Sequence, residues 1–481
     1  MKKLASVIAA VLLTSLSVTA LAESVTYEAE DAALHGKVAV SADAAASCGK
    51  AVGKFESSDD TLDFAVTVPE DGMYDLVFVC KGIGGGKTNR VAVDGMPQGE
   101  FTCAGETYEE CTVRNVWITA GSHTVTVTKS WGWIWLDCLK VTPAAGIPDS
   151  VYEVSPVLSN PNANEDAQKL FRYLCECYGK YTLAGQHCEY GTIGMECHTI
   201  NKVTGKYPAV LGLDLMSYSP ARREHGGSGG NSVEQAIKFH EQGGIVTFCW
   251  HWNAPNQYLK DGTDNGNPRW WGGFYTRNTD FDIDAVMNGR DPEGKALLDR
   301  DIKAIAEQLL RLQEAGIPVL WRPLHESSGG WFWWGAKGPE PFKQLWIYLY
   351  NELTYTYGCN NLIWIWNARY TDWYPGDAYV DVIGEDVYAD PHDYNAQSSL
   401  FYEVMTVPQT PKLLALTEVG VVPDIDQLVA TNARWLWFNT WGGDYVYKKG
   451  KYSSEYTEAE LIKKVYDSEY VITLDELPDF N

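Results

Sequence analysis

Short apolar runs alternate with helical patterns over the last two-thirds of the chain. In the helical patterns, apolar residues return every three or four positions, as in a helix with one buried face. These segments are 165–178, 233–242, 292–315 and 341–357. The apolar runs are nearly continuous, which is typical of strands buried on both faces of a parallel sheet. They span 181–187, 209–218, 245–252, 319–326, 362–368, 380–388, 413–419 and 434–441. Eight such strands linked by helices predict an α/β fold, a (β/α)₈ TIM barrel, over residues 150–481; the link 369–379 is too short for a full helix.

The first part of the chain has a different pattern. Alternating or short apolar runs separated by turn residues predict strands and no amphipathic helix. The predicted strands are 25–30, 62–68, 73–80, 90–94, 111–118, 123–128 and 133–141. Residues 23–142 are therefore expected to form an all-β sandwich, jelly-roll-like, and the Pro/Gly/Ala-rich stretch 143–149 a short linker to the barrel.

The first 22 residues have the pattern of a secretory signal peptide. Lys2 and Lys3 precede an apolar stretch, and Ala20-Leu21-Ala22 has the small residues of a cleavage site. No later apolar stretch is long enough to span a bilayer. We therefore expect a secreted, extracellular protein with no membrane association after signal removal.

The composition narrows the class of ligand. The 481-residue chain has a formal net charge of −25, and an acidic surface of this size repels nucleic acid and anionic membranes. Aromatic residues make up 13% of the chain, with 19 Trp and 28 Tyr. Aromatic rings pack well against the C–H faces of sugars, so a neutral carbohydrate fits best. We expect no nucleic-acid partner and a monomeric protein.

Two carboxylates end two of the predicted barrel strands. The run 319–326 ends in Arg322, His325 and Glu326 before a loop rich in Gly and Trp, and the run 413–419 carries Glu418. A parallel barrel places the carboxyl ends of all its strands on one face, where barrel active sites lie. Two carboxyl groups facing each other are what the hydrolysis of a glycosidic bond requires.

The barrel region resembles glycoside hydrolase family 26, whose best-known members are endo-β-1,4-mannanases. The resemblance is carried by Arg322-Pro-Leu-His-Glu326, by the following Gly-Gly-Trp-Phe-Trp-Trp ending at Trp334, and by Leu416-Thr-Glu418. It implies that Glu326 is the general acid/base, that Glu418 is the nucleophile, and that hydrolysis of internal β-1,4-mannosidic bonds retains configuration through a covalent glycosyl-enzyme. No cofactor is expected for catalysis.

Further substrate-binding residues are expected at the same rim, from their strand-end positions and from the resemblance. Arg322 is the expected partner that keeps Glu418 ionised. Of Trp331, Trp333 and Trp334, we expect at least one to lie in the core. The full set of expected substrate-binding residues is Asp214, His251, Trp252, Arg322, His325, Trp331, Asp386, Tyr388 and Trp441.

The first domain resembles a carbohydrate-binding module of family 35. The resemblance is carried by the stretches Tyr27-Glu-Ala-Glu-Asp31, Asn89-Arg-Val-Ala-Val-Asp-Gly95 and Trp131-Gly-Trp-Ile-Trp-Leu-Asp-Cys-Leu-Lys-Val141. It implies a structural Ca²⁺ on Glu28, Glu30 and Asp137, whose hard carboxylate oxygens suit that ion. It also implies sugar contacts by Asn89 and Trp131.

Several alternatives stay open on the sequence alone. The same catalytic machinery would serve mixed-linkage β-glucan or β-xylan, and a lectin-like barrel would bind polysaccharide without cutting it. The eleven cysteines allow disulfides, with Cys103–Cys111 and Cys188–Cys197 as short-loop pairs, whereas His187, Cys188, Cys197 and His198 are also a candidate zinc site. The loop 82–88 imitates a phosphate-binding loop, but a strand follows it, so we reject nucleotide binding.

Overall fold

The computed structural model describes residues 24–188, 195–227 and 229–480, which form an antiparallel β-sandwich followed by a closed parallel barrel. The predicted signal peptide, residues 1–22, lies outside the described residues. The sandwich and the barrel each have their own hydrophobic core. The predicted fold class, a TIM barrel preceded by an all-β sandwich, is confirmed.

The sandwich consists of two antiparallel sheets. The strands of the first sheet are Val25–Glu28, Ala39–Ala42, Lys50–Gly53, Gly72–Gly82, Glu109–Ile118 and Ile134–Pro143. The strands of the second are Ala33–Leu34, Thr61–Val68, Lys87–Val93, Met96–Cys103 and Gly121–Trp131. In the long strands, alternate side chains point inward, so that Leu76, Phe78 and Cys80 of one strand are fully buried.

Four of the sandwich strands are absent from the sequence prediction. Ala33–Leu34, Ala39–Ala42 and Lys50–Gly53 are short, and short runs give little periodicity to detect. Met96–Cys103 contains Pro97 and Gly99, both of which are disfavoured inside strands. It pairs with Lys87–Val93 at the edge of the second sheet, where an irregular strand is tolerated.

All eight predicted barrel strands are present. They are Thr182–His187, Val210–Asp214, Ile245–Cys249, Val319–Arg322, Leu362–Trp366, Val382–Val387, Leu413–Val419 and Trp437–Thr440. They pair in parallel in this order, and the eighth strand pairs with the first, which in turn pairs with the second and so closes the barrel. Because every strand runs the same way, the carboxyl ends form one rim.

Helices surround the barrel. They are Glu165–Cys177, Met195–Thr204, Pro220–Glu224, Ser232–His240, Ile283–Met287, Pro292–Glu314, Pro339–Asn351, Ser398–Met405, Ile425–Ala430 and Ala459–Asp467. Between the fifth and sixth strands the chain makes only two 3₁₀ turns, Thr371–Trp373 and Asp377–Tyr379, so the expectation of a link too short for a full helix is met. In the described part of the chain, no helix has the length and apolar character needed to cross a bilayer.

Candidate active site

Glu326 lies just after the fourth barrel strand in an unusual backbone conformation. Its φ is +51°, and that of Leu324 is +52°, in the left-handed region that non-glycine residues rarely adopt. The Glu326 amide N–H donates to Asn367 Oδ1 at 2.8 Å, which holds the turn from the neighbouring strand. Such strain costs on the order of 1–3 kcal/mol and clusters at active sites, and here it places the carboxyl group over the barrel mouth.

A bulge in the seventh strand positions Glu418. Glu385 of the sixth strand pairs with Leu416, whereas the next residue, Asp386, pairs with Glu418, so Thr417 is the extra residue. A bulge changes the direction in which the following side chain points. Thr417 Oγ1 donates to Asp386 Oδ1 at 2.6 Å, and Glu418 itself is buried.

Arg322 connects two carboxylates at the centre of the rim. One guanidinium nitrogen, Nη2, donates to Glu418 Oε1, and Nη1 donates to Asp386 Oδ2 at 2.7 Å. Asn367 Nδ2 donates to the other oxygen of Asp386 at 2.8 Å. Both oxygens of Asp386 are therefore bonded to protein, so this residue positions Arg322 and Asn367; the structure leaves it little capacity for the sugar hydroxyl expected from the sequence.

The two expected catalytic carboxyl groups are close together. One carboxylate oxygen from each of Glu326, Asp386 and Glu418 lies within 4.8 Å of the other two. Three acids at this spacing resemble a metal site, but Arg322 already supplies a cation to two of them. Arg322 therefore offsets one of the three negative charges, and a proton on one carboxyl group would offset a second.

The surroundings of the two glutamates differ. Burial raises the pKa of Glu326, as does the charge of Asp386, and Trp331 Nε1 donates a hydrogen bond to its carboxylate at 2.9 Å. Burial also raises the pKa of Glu418, but Arg322 and a hydrogen bond from Tyr388 Oη at 2.6 Å oppose this rise. Glu418 has a cation on one oxygen and a hydroxyl on the other, and both contacts favour its ionised form.

Two histidines form one wall of the site. His251 Nδ1 lies 2.6 Å from Asp214 Oδ2, and its Nε2 lies 3.3 Å from His325 Nε2. Burial lowers the pKa of His325 far below its usual range, and Arg322 lowers it further, so this imidazole is neutral. Asp214 fixes the orientation of His251, whose side chain remains partly accessible to a ligand.

Aromatic side chains form the other walls. Trp331 is 48% exposed beside Glu326, and Tyr388 is 45% exposed beside Glu418. Trp441 stacks on His187 with ring centroids 4.2 Å apart, which leaves one face of the indole for a ligand. A cavity of about 570 Å³ extends from Trp441 past Tyr445. These surfaces suit the flat faces of sugar rings.

Some of the expected residues lie elsewhere. Trp252 is fully buried, stacks on Trp250 at 4.0 Å and donates to Asp301 at 3.0 Å, so its indole has no free face for a sugar. Its position after the third strand suggested the rim, but its side chain points into the helix layer. Trp333 and Trp334 are also fully buried, as expected for at least one of the loop tryptophans.

The candidate zinc residues do not converge. His187 stacks on Trp441, and His198 Nδ1 bonds to the Tyr207 hydroxyl at 2.7 Å. The sulfur atoms of Cys188 and Cys197 are 3.7 Å apart, as a disulfide pair in reduced form would be. In the module, Cys80 Sγ lies 3.6 Å from Cys111, with Cys103 in the same cluster, so the partner of Cys111 is not unique.

The module residues are split between its surface and its interior. Trp131 is 76% exposed and Trp133 50% exposed, whereas Asn89 is fully buried inside the sandwich, out of reach of a surface ligand. The carboxylates of Glu28 and Asp137 both approach Ser47 Oγ, at 2.9 and 2.8 Å. Glu30 Oε2 is buried and has no hydrogen-bond partner among the described residues.

Comparison with known proteins identifies both parts of the chain. Residues 159–476 match the model of glycosyl hydrolase family 26, and residues 25–144 match that of the family 35 carbohydrate-binding module. The chain belongs to glycosyl hydrolase family 26. It is therefore a glycoside hydrolase, and it carries a family 35 module at its amino-terminal side.

Several relatives match this chain over nearly its whole length. A mannan endo-1,4-β-mannosidase of Thermothelomyces thermophilus is 41% identical over 94% of this chain and 90% of its own length. A solved Podospora anserina β-(1,4)-mannanase that combines a family 26 domain with a family 35 module is 41% identical, with a TM-score of 0.66 over 95% of this chain and 99% of its own. A mannan endo-1,4-β-mannosidase B of Piromyces sp. is 34% identical over 96% of this chain and 78% of its own.

Two polar residues that support the site were not among the expected binding residues. Asn367 bonds to the Glu326 amide and to Asp386, and Thr417 bonds to Asp386. Asn367 was visible in the sequence only as a strand end. The role of Thr417 gave no signal, because the bulge that positions it depends on pairing between strands.

Proposed function

We propose that this family 26 glycoside hydrolase is an endo-β-1,4-mannanase that retains configuration, with Glu326 as general acid/base and Glu418 as nucleophile. The observation that carries this mechanism is the separation of the two glutamates, whose nearest oxygens lie within 4.8 Å. Retaining enzymes hold the two groups about 5–5.5 Å apart, and inverting enzymes need about 6.5–9.5 Å to admit a water molecule. The names of the Thermothelomyces and Podospora relatives support mannan as the substrate.

In the first step, the Glu418 carboxylate attacks the anomeric carbon while the bond to the leaving oxygen breaks. Glu326 gives its proton to that oxygen, so the released chain leaves as an alcohol. Arg322 and Tyr388 keep Glu418 ionised and orient it towards the sugar. The pKa of Glu326, raised by burial, keeps the acid protonated near neutral pH.

In the second step, the now ionised Glu326 takes a proton from water. The hydroxide oxygen attacks the anomeric carbon, the ester bond to Glu418 breaks, and the sugar is released with its original configuration. The Trp331 Nε1–H bond to Glu326 Oε2 stabilises the carboxylate that exists between the two steps. Neutral His325 borders the same space beside His251.

One experiment tests both the substrate and the stereochemistry. The full chain is incubated with mannan, glucomannan, lichenan and xylan, and the configuration of the first products is followed by proton NMR. We expect internal cleavage of mannan and glucomannan with the β-anomer appearing first. An α-anomer as first product would disprove retention. Products from lichenan or xylan alone, with none from mannan, would disprove the assignment of mannan as the substrate.

A variant series tests the residue roles. Glu326→Ala is expected to lose activity on mannan by a factor on the order of 10³, and added azide should restore turnover of an activated aryl mannoside as a β-glycosyl azide. Glu418→Ala is expected to give the α-azide instead. Glu314→Gln, on an exposed helix end, is the matched control and should retain full activity. Unchanged mannan hydrolysis by Glu326→Ala would overturn the assignment.

For the rest of the chain we propose export by residues 1–22, a carbohydrate-binding module at 23–142, a linker at 143–149 and a monomeric barrel enzyme at 150–481. The basic, apolar and small-residue order of the first 22 residues supports export. Exposed Trp131 is the proposed sugar contact of the module. Glu28, Glu30 and Asp137 would hold a structural Ca²⁺, and the unpartnered Glu30 oxygen supports this fit.

A further inference from the structure

A cleft of about 550 Å³ lies between the module and the barrel. The volume is within the range of about 300–1,000 Å³ that is typical of small-molecule sites. Its walls include Arg90, Gln98 and Glu100 on the module and Arg369 and Glu403 on the barrel. Its lining includes neither the exposed Trp131 nor the two catalytic glutamates, but it reaches Asp386 and Tyr388 beside them.

Polar contacts hold the two walls of the cleft together. Asn395 Nδ2 donates to the Pro97 carbonyl at 2.9 Å and to Gln98 Oε1 at 3.1 Å. Ser398 Oγ, at the start of a barrel helix, donates to the Asn115 carbonyl at 2.8 Å and is buried. Because these bonds join both domains beside the cleft, they fix the position of its two walls relative to each other.

A buried carboxyl group inside the cleft lacks a partner. Glu385 is only 6% exposed, and its Oε1 has no hydrogen-bond partner in the described ranges. An unsatisfied buried polar group costs about 1–3 kcal/mol, which a ligand hydroxyl would recover. Burial raises the pKa of Glu385 to about 8, against the opposing charge of Arg369, so the group is neutral at pH 7 and both donates and accepts.

The charges and apolar groups of the lining indicate the class of ligand. Arg90 is paired with Glu100 at 3.1 Å, and Arg369 with Glu403 at 2.8 Å, so neither cation is free to bind an anion. Apolar side chains also line the cleft, among them Leu400. Asp390 and Asp393 also line the cleft and disfavour an anion, so the lining suits a neutral, polyhydroxylated chain with C–H faces.

We propose that this cleft is a second binding site for a neutral oligosaccharide, formed jointly by the module and the barrel, and that it receives a distal segment of the polysaccharide being cut. Tyr388 connects the two sites, since its hydroxyl bonds to Glu418 while the residue also lines the cleft. The inference rests on the proposed mannanase function for the identity of the sugar.

The test compares short and long substrates on the full chain. Ser399→Trp places a large side chain in the cleft from the barrel helix, and Ser399→Ala is its matched control. We expect Ser399→Trp to lower kcat/KM on mannohexaose by about fivefold to tenfold, the equivalent of one or two hydrogen bonds, with mannotriose unaffected. Equal values for Ser399→Trp and Ser399→Ala on mannohexaose would overturn the site.

A second variant approaches the cleft from the module. Arg90→Ala is expected to lower kcat/KM on mannohexaose, as Ser399→Trp does. Arg114→Ala removes an arginine from another exposed ion pair, with Asp75, and should leave kcat/KM unchanged. If the wild-type chain cuts mannan but Arg90→Ala behaves like Arg114→Ala, the second site is disproved alone. If the wild type cuts no mannan, the proposed function fails, and the site is tested by calorimetric binding of mannohexaose instead. Weaker binding to the Arg90→Ala chain than to the Arg114→Ala chain would support the site, and equal binding would disprove it.

Discussion

The Tyr388 hydroxyl lies 2.6 Å from Oε2 of Glu418, the oxygen that Arg322 does not contact. Burial and the charge of Glu418 raise the pKa of Tyr388, so the phenol stays protonated and donates. Glu418 thus has one neutral and one cationic donor, each on its own oxygen. The neutral bond is free to weaken as Glu418 loses its charge in forming the glycosyl-enzyme.

Replacing Tyr388 by Phe tests this relationship. Loss of a hydrogen bond to a charged group costs about 1.5–3 kcal/mol, so kcat/KM on mannan is expected to fall roughly 10- to 100-fold. Steady-state kinetics on mannan measure this fall in kcat/KM. Tyr445→Phe is the control, because it removes a tyrosine hydroxyl from a neighbouring ring, whose centroid lies 5.6 Å from that of Tyr388. If the two variants keep similar activity, the bond does not orient the nucleophile.

The bond from Trp331 to Glu326 predicts a shift in the pH profile. The indole N–H stabilises the Glu326 carboxylate and so lowers its pKa, against the larger rise caused by burial. In Trp331→Phe that pKa rises further, so the alkaline limb of kcat/KM should move up by roughly 0.5–1 pH unit. Trp271→Phe, an exposed tryptophan, should leave the limb in place. A limb that stays put or moves down in Trp331→Phe would contradict this.

The barrel could be predicted from sequence because its strands are buried on both faces. Runs such as Leu362–Trp366 are wholly apolar, which gives a clear pattern despite their short length. The sandwich was harder, since strands such as Lys50–Gly53 are too short to show alternation. Which of its short strands pair with which depends on contacts across the sheet and leaves no local trace.

The candidate site, too, could be predicted only in part from the sequence. Glu326 and Glu418 were found because charged residues at the ends of apolar strands are conspicuous. The left-handed backbone of Glu326 and the bulge at Thr417 arise only when neighbouring strands pair, so no periodicity predicts them. For the same reason, the sequence did not reveal that Trp252 points away from the rim or that both oxygens of Asp386 accept hydrogen bonds from the protein.

The acidic cluster in the module predicts a calcium-dependent stability. A ligand present at 100 times its Kd stabilises the folded state by about 2.7 kcal/mol, so EDTA should lower the Tm of the module and Ca²⁺ restore it. Glu30→Gln should abolish the dependence, while Glu110→Gln, whose carboxylate pairs with Lys140 elsewhere on the module, should retain it. Calorimetry measures these transitions. If EDTA leaves the Tm of the wild-type module unchanged, the proposed calcium site is wrong.

Cys188 and Cys197 are expected to form a disulfide in the exported protein. Their sulfur atoms are 3.7 Å apart; Cys188 directly follows the first barrel strand, and Cys197 lies in the helix Met195–Thr204. A bond that closes a loop of this length stabilises a fold by about 2–3 kcal/mol through the entropy of the unfolded chain. Dithiothreitol should therefore lower the Tm of the barrel, and peptide mass spectrometry should find the two cysteines linked.

The double variant Cys188→Ser/Cys197→Ser separates this bond from the module cysteines. Its barrel transition should already lie at the reduced Tm and should not respond to dithiothreitol. Because Cys188 directly follows His187, which stacks on Trp441, the variant should also raise KM for mannan by loosening that wall of the site. A barrel transition that still falls on reduction would show that another thiol pair is responsible, and free thiols at both positions in the exported protein would rule the bond out.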